Sequence, residues 1–147
     1  MALKLSEALL GPDGNSGGGG LLKFIAESAY LWSCRGQLDK AIPLFEALIA
    51  LAPNEPLGQL GLAGTYLSLG KFREAERAAD LASRATQIDR RTLAYAYKLR
   101  GKALIQLNKP RDAEKALRRA AEIDPTGPEG KSALQLIEMA TKLGILK

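Results

Sequence analysis

From Ile25 onward, apolar residues recur at helical spacing. Ile25, Ser28, Ala29 and Trp32 share one side of a helix, and beyond Gly36 the residues Leu38, Ala41, Ile42, Phe45, Leu48 and Ile49 make a second, broader apolar face. Two amphipathic helices therefore meet at Gly36. The arrangement repeats: GQLDKA, starting at Gly36, and GKFREA, starting at Gly70, lie 34 residues apart, and NKPRDA, starting at Asn108, follows after 38. Trp32, Tyr66 and Leu104 each stand four residues before the turn, and Ala41, Ala75 and Ala113 five after it. A period of this length marks a stack of paired-helix units. The alanines fall at one common point of every second helix, where two helix backbones approach too closely for a longer side chain.

The ends of the second helices carry stop signals. AIPLFEALIALAPN and AEKALRRAAEIDP finish at Pro53 and Pro125, and proline cannot continue a helix. The middle stretch, AERAADLASRATQIDRR, has Arg90 and Arg91 there instead. Its four additional residues are expected to lengthen that helix by about one turn of 3.6 residues. Residues 126–143 predict a last helix, with Thr126 and Glu129 spaced as a capping box, Ala133, Leu136, Ile137, Ala140 and Leu143 as the buried face and Gly144 as the stop. At the other end, GPDGNSGGGG over residues 11–20 has the composition of a flexible linker, reaching roughly 17 to 19 Å as an ideal coil. The leucine-bearing segment before it, LKLSEALL, has two readings: a natural tail, or a peptide tethered so that it folds back onto the repeats.

Composition narrows the chemistry. Apolar residues make up 46% of the 147-residue chain and charged residues 25%, and no apolar run approaches the roughly 20 residues of a membrane span. Met1 to Leu10, interrupted by Lys4 and Glu7, lacks the charge order of a secretory signal. One cysteine, Cys34, cannot build a disulfide framework, which fits a reducing compartment and a cytoplasmic setting. Histidine is absent, so the commonest proton carrier and metal ligand is missing and Cys34 has no activating partner. No catalytic residue, metal or cofactor is implied, and Glu74, Glu76 and Asp80 read as solubilising charges. Between Arg84 and Arg119, eleven Lys or Arg face only Asp89, Asp112 and Glu114, although the whole chain carries a net charge of +5. Most of this basic surface, including Arg111, Lys115, Arg118 and Arg119, falls on the second helix of its unit.

The 34-residue spacing, the aromatic four residues before Gly, the Ala five after it and the Pro at the exit resemble tetratricopeptide repeats. That resemblance implies an all-α fold: an α-solenoid of three helix-turn-helix repeats (about 22–55, 56–91 and 92–127) with a C-terminal capping helix over about 128–143. Residues 1–20 are then an N-terminal segment and linker, and 21–147 the repeat domain. In the family, the first helix of each repeat lines a concave groove. Carried over, the lining is Lys23, Ala26, Tyr30, Ser33 and Cys34 from the first repeat, Leu57, Leu60, Gly61, Gly64 and Leu67 from the second, and Tyr95, Lys98, Leu99, Lys102 and Ile105 from the third. Gly61 and Gly64 are expected to let a ligand backbone come close, and Lys98 and Lys102 to meet an acidic group on it.

The family's clamp for acidic chaperone C-termini uses Lys and Asn in the first repeat, Asn in the second, and Lys with Arg in the third. Here those positions hold Ala26, Tyr30, Gly61, Tyr95 and Leu99. A partner protein held through an extended or helical segment by apolar and main-chain contacts is therefore expected. The run GQLDKAIPLFEALIALAPNE also resembles the first repeat of the small chaperones of bacterial type III secretion. Two other classes stand beside this reading: a self-assembling scaffold, with homo-oligomers, and a basic module associated with nucleic acid. The second has little behind it, since only Tyr95 and Tyr97 are aromatic within the basic region and no phosphate loop is present.

Overall fold

The helical spacing is realised as seven α-helices in a computed structural model that describes residues 19–146. They are α1 (Gly19–Cys34), α2 (Leu38–Leu51), α3 (Pro56–Ser68), α4 (Phe72–Ser83), α5 (Arg90–Gln106), α6 (Pro110–Ile123) and α7 (Pro128–Lys142). α1 begins at Gly19, inside the stretch expected to be linker; residues 11–18 and the segment LKLSEALL lie outside the described residues. No helix among the described residues is long and apolar enough to cross a membrane.

The helical hairpins turn where the sequence places them. Gly36, Gly70 and Asn108 have φ of 75°, 74° and 58°, the left-handed region that glycine and asparagine tolerate best. In each turn the following amide donates back to the carbonyl of the recurrent Trp, Tyr or Leu: Gln37 N to Trp32 O at 3.0 Å, Lys71 N to Tyr66 O at 2.8 Å and Lys109 N to Leu104 O at 3.0 Å. Gly144 (φ 76°) ends α7 the same way, with Ile145 N donating to Ala140 O at 2.9 Å. These are Schellman-type caps that satisfy carbonyls a helix end would otherwise orphan.

Each helix packs on the next in sequence, and the first helices of the units also touch in series, α1 with α3, α3 with α5 and α5 with α7. Small residues make this possible. Ala41, Ala75 and Ala113 are buried as the spacing requires. Glycines inside helices serve the same end: a Cβ at Gly58 would lie 2.7 Å from Ile49 Cγ1, one at Gly101 would lie 2.6 Å from Leu117 Cδ2, and one at Gly61 would fall inside the Phe45 ring. α2 and α6 end at Leu51 and Ile123, two residues before Pro53 and Pro125.

Four local expectations fail, one of them at Leu143, which is the C-cap of α7 and 72% exposed where a buried face was expected. The four additional residues do not extend the second helix of the second repeat, which stops at Ser83; they lengthen the next first helix, α5, which has 17 residues against 13 in α3. The cause is Asp89, whose side chain accepts from Thr92 N at 2.8 Å and caps α5, fixing where that helix starts. Arg90 then bonds the far end of the next hairpin, its Nε and Nη2 donating to Ile123 O at 3.2 and 3.0 Å. The capping box of the last helix is also absent: Gly127 is the N-cap, without a side-chain bond, and Glu129 points elsewhere. Finally, Glu76 and Asp80 are half-buried and engage Arg100 of α5 at 2.9 and 3.7 Å, an inter-repeat ion cluster where solubilising charges were expected.

Candidate peptide-binding groove

The exposed faces of α1, α3 and α5 run side by side because these helices touch in series. α3 lies between neighbours on most sides, so only a narrow strip of it stays open. That geometry divides the expected lining. Ala26, Leu57, Leu60, Gly61 and Leu99 are buried within the helix packing and cannot present side chains to a ligand. Gly61 is filled by Phe45 from behind, so the room expected above it is used internally.

The remaining positions keep access to the surface: Lys23, Tyr30, Ser33, Gly64, Leu67, Tyr95, Lys98 and Ile105 are half-buried, and Cys34 and Lys102 are exposed. Of these, Tyr30, Leu67 and Tyr95 rest on one core cluster spanning α1 to α5. Gly64 lies one turn before Leu67 on α3, and a Cβ there would meet nothing within 4 Å. Tyr30 and Tyr95 thus stand on the two first helices that flank α3 and pack on the same core as Leu67. Ile105 sits farther along, packed with the C-terminal clusters, and Lys102 has no ion pair among the described residues.

Phe45, which the sequence reading assigned only to a helix face, supports this arrangement. Its ring stands edge-on to Tyr30 at 5.4 Å between centroids and an interplanar angle of 85°. The Tyr30 hydroxyl is buried and finds no hydrogen-bond partner among the described residues. Burial first, and then the neighbouring Tyr95 and Cys34, push its pKa well above the ordinary phenol value. Burial, with Glu129 nearby, also raises that of Tyr95. Both phenols therefore stay neutral at physiological pH.

Lys98 is not available to a ligand in the way expected. Its Nζ lies 2.6 Å from Glu129 Oε2 of α7 and 5.0 Å from the Tyr95 ring centroid, with side-chain exposures of 15% and 18% for the ion pair. The pair closes the third repeat onto the last helix. Glu129 was read as a capping residue from its distance to Thr126, and nothing in the local spacing connects it to Lys98. The glycines inside α3 and α5 were the legible signal for close packing, since each costs about 1 kcal/mol relative to alanine and needs a reason.

Hairpins turning at left-handed residues, small side chains at every helix crossing and first helices aligned along one side define a tetratricopeptide-repeat array. Two tetratricopeptide-repeat family models match residues 35–94 and 94–126, and the chain is built of these repeats. Among curated proteins it is similar to RNA polymerase II-associated protein 3 of mouse, 31% identical over 106 residues, which are 72% of this chain and 16% of that protein. The human protein is 30% identical over 106 residues, 72% of this chain and 15% of that protein. The chain thus spans about a sixth of these relatives. Among solved structures, the first repeat domain of Spaghetti (RPAP3) bound to the HSP90 peptide SRMEEVD superposes with a TM-score of 0.70 at 27% identity, covering 82% of this chain and 93% of that one. The first repeat domain of human RPAP3 gives the same TM-score and identity, 0.70 and 27%, with 82% and 92% covered. The Arabidopsis OM64 repeat domain, at 24% identity and a TM-score of 0.67 over 78% and 91% of the two chains, shares the fold.

Proposed function

We propose that this chain is a non-catalytic interaction module that holds an apolar segment of a partner protein along α1, α3 and α5. The carrying observation is the open position at Gly64 on α3, with half-buried Tyr30 and Tyr95 on the first helices to either side. A ligand backbone can approach closely where no side chain stands in the way. Support comes from the Spaghetti repeat domain, which binds a peptide on the same fold.

The ligand proposed here differs from that acidic peptide. At the five positions where the family's clamp places cations and amides, this chain has Ala26, Tyr30, Gly61, Tyr95 and Leu99, and Lys98 is already engaged by Glu129. Lys102, the lining lysine with no ion pair among the described residues, is exposed and offers a terminal carboxylate only a solvent-screened contact. An uncharged stretch, extended or as one helical face, loses little and gains apolar burial. The type III secretion setting suggested by the first repeat draws no support from the matched relatives, so the proposal stops at a cytoplasmic adaptor or chaperone.

The test is a titration of the full chain with two peptide sets: SRMEEVD, and apolar amphipathic peptides amidated at the C-terminus. The amidated set should bind and SRMEEVD should bind at least tenfold more weakly. Gly64→Leu, whose Cβ would meet nothing within 4 Å, should weaken the amidated peptides at least tenfold, about 1.4 kcal/mol, at unchanged helicity. Equal binding by Gly64→Leu and the parent chain would sink the assignment.

A further inference from the structure

The additional turn of α5 has no equivalent one repeat earlier. Counted back from the hairpin turns, Pro56 of α3 matches Ala94 of α5, so Arg90–Leu93 have no counterpart in the second repeat. In the third repeat that turn carries a guanidinium over the end of the paired helix: Arg90 Nε and Nη2 donate to the carbonyl of Ile123, the last residue of α6, at 3.2 and 3.0 Å. α3 instead begins at Pro56, whose ring can make no such bond. A cleft of about 460 Å³ lies in this part of the second repeat, between the loop that enters α3 (Ala52, Pro53, Asn54 and Glu55) and the loop that leaves α4 (Thr86 and Gln87). Its volume is that of a small ligand site.

The lining is a set of acceptors around one negative charge. Glu55 contributes a carboxylate, Asn54 and Gln87 contribute amide oxygens and Thr86 a hydroxyl, with Ala52 and Pro53 as an apolar wall. Glu55 is half-buried, and that burial raises its pKa. Among the described residues no cation pairs with it: of the two that flank the second loop, Arg84 lies 3.1 Å from Asp80 and Arg90 is bonded to Ile123. A divalent metal ion fits poorly, because a single carboxylate is the only charged group it would meet. A guanidinium fits well. It presents a planar fork of N–H donors to several acceptors at once, is always charged, and is more weakly hydrated than an ammonium. No lining residue is cationic, so nothing in the cleft meets the carboxylate of a free amino acid. The chemistry therefore favours an arginine side chain carried on a polypeptide.

We infer that this cleft binds the guanidinium of an arginine in a partner segment, which then serves the second repeat as Arg90 serves the third. The two loops lead into α3 and α5, so the bound arginine stands at the entry of helices that also line the groove. The inference does not depend on what the groove holds.

The experiment titrates the full chain with acetyl-arginine amide, acetyl-lysine amide, acetyl-citrulline amide and free arginine, and follows backbone amide shifts. Acetyl-arginine amide should move Asn54, Glu55, Thr86 and Gln87 in one saturable step. Glu55→Gln, which keeps the side chain's shape, should weaken it roughly tenfold, the worth of one charge-assisted hydrogen bond. Thr86→Arg, at an exposed loop position, supplies a guanidinium from within the chain and should abolish the step. The lysine and citrulline probes should each bind about tenfold more weakly than the arginine probe. Unmoved cleft amides in the parent chain would overturn the inference, as would equal binding by the lysine or citrulline probe, or undiminished binding to Glu55→Gln or Thr86→Arg. Tighter binding of free arginine than of acetyl-arginine amide would also overturn it, since that means a site for the free amino acid and not for a partner's residue.

Discussion

Gly61 and Gly64 differ only in what stands opposite the missing side chain. Phe45 occupies the space at Gly61, and nothing lies within 4 Å at Gly64. Gly61→Ala is therefore expected to destabilise the fold by roughly 1 to 3 kcal/mol through overpacking. Gly64→Ala is expected to stabilise it by up to about 1 kcal/mol, the helix-propensity gain alone. Thermal unfolding followed by circular dichroism separates the two, and a loss at Gly64 equal to that at Gly61 would contradict the open strip. Glu55, half-buried beside Ala52, Pro53, Asn54, Thr86 and Gln87 between two inter-repeat loops, has its pKa raised by burial. The folded chain then holds that proton more tightly than the unfolded chain, so this residue's contribution is most favourable below the ordinary glutamate value and declines as pH rises through the raised one. Glu55→Gln is expected to be more stable than the parent at neutral pH and equal to it below about pH 4. Denaturant melts at the two pH values check the sign.

At the scale of elements, the hairpin turns were legible because few residues accept a left-handed backbone, and Gly36, Gly70 and Asn108 stood at a repeating distance from a conserved-size alanine position. The start of α5 was not, because the reading extended the helix through Arg84 to Asp89 by counting residues, whereas a local hydrogen bond from Thr92 N to Asp89 decides the boundary. Asp89→Ala is expected to cost about 1 kcal/mol, read as a fall in melting temperature. Likewise, spacing suggested a capping role for Glu129, but the residue it meets, Lys98, is 31 positions away and is reached only once α7 packs on α5. Glu129→Gln is expected to destabilise by roughly 2 kcal/mol, less than the 3 to 5 of a fully buried pair, by leaving Lys98 without its counter-charge. The double change Lys98→Met with Glu129→Leu should recover most of that loss. A double variant no more stable than Glu129→Gln would show that the pair does more than neutralise.

Over the whole molecule, a repeat array is a sum of units and their neighbour contacts, so a period in the sequence goes far toward specifying its form. The same logic explains what could not be read. Which of the first-helix residues face outward depends on how closely α3 is enclosed by α1, α2, α4 and α5, and that enclosure took Ala26, Leu57, Leu60, Gly61 and Leu99 out of the candidate lining while leaving Tyr30, Gly64, Leu67 and Tyr95. The basic side chains Arg111, Lys115, Arg118 and Arg119 are exposed on α6, a second helix, away from that strip. The measurement that addresses the central claim most directly is a map of backbone amide shift changes when the full chain is titrated with an amidated apolar peptide. The expected changes centre on Tyr30, Gly64, Leu67 and Tyr95; changes confined to α4 and α6, with those four residues unmoved, would contradict it.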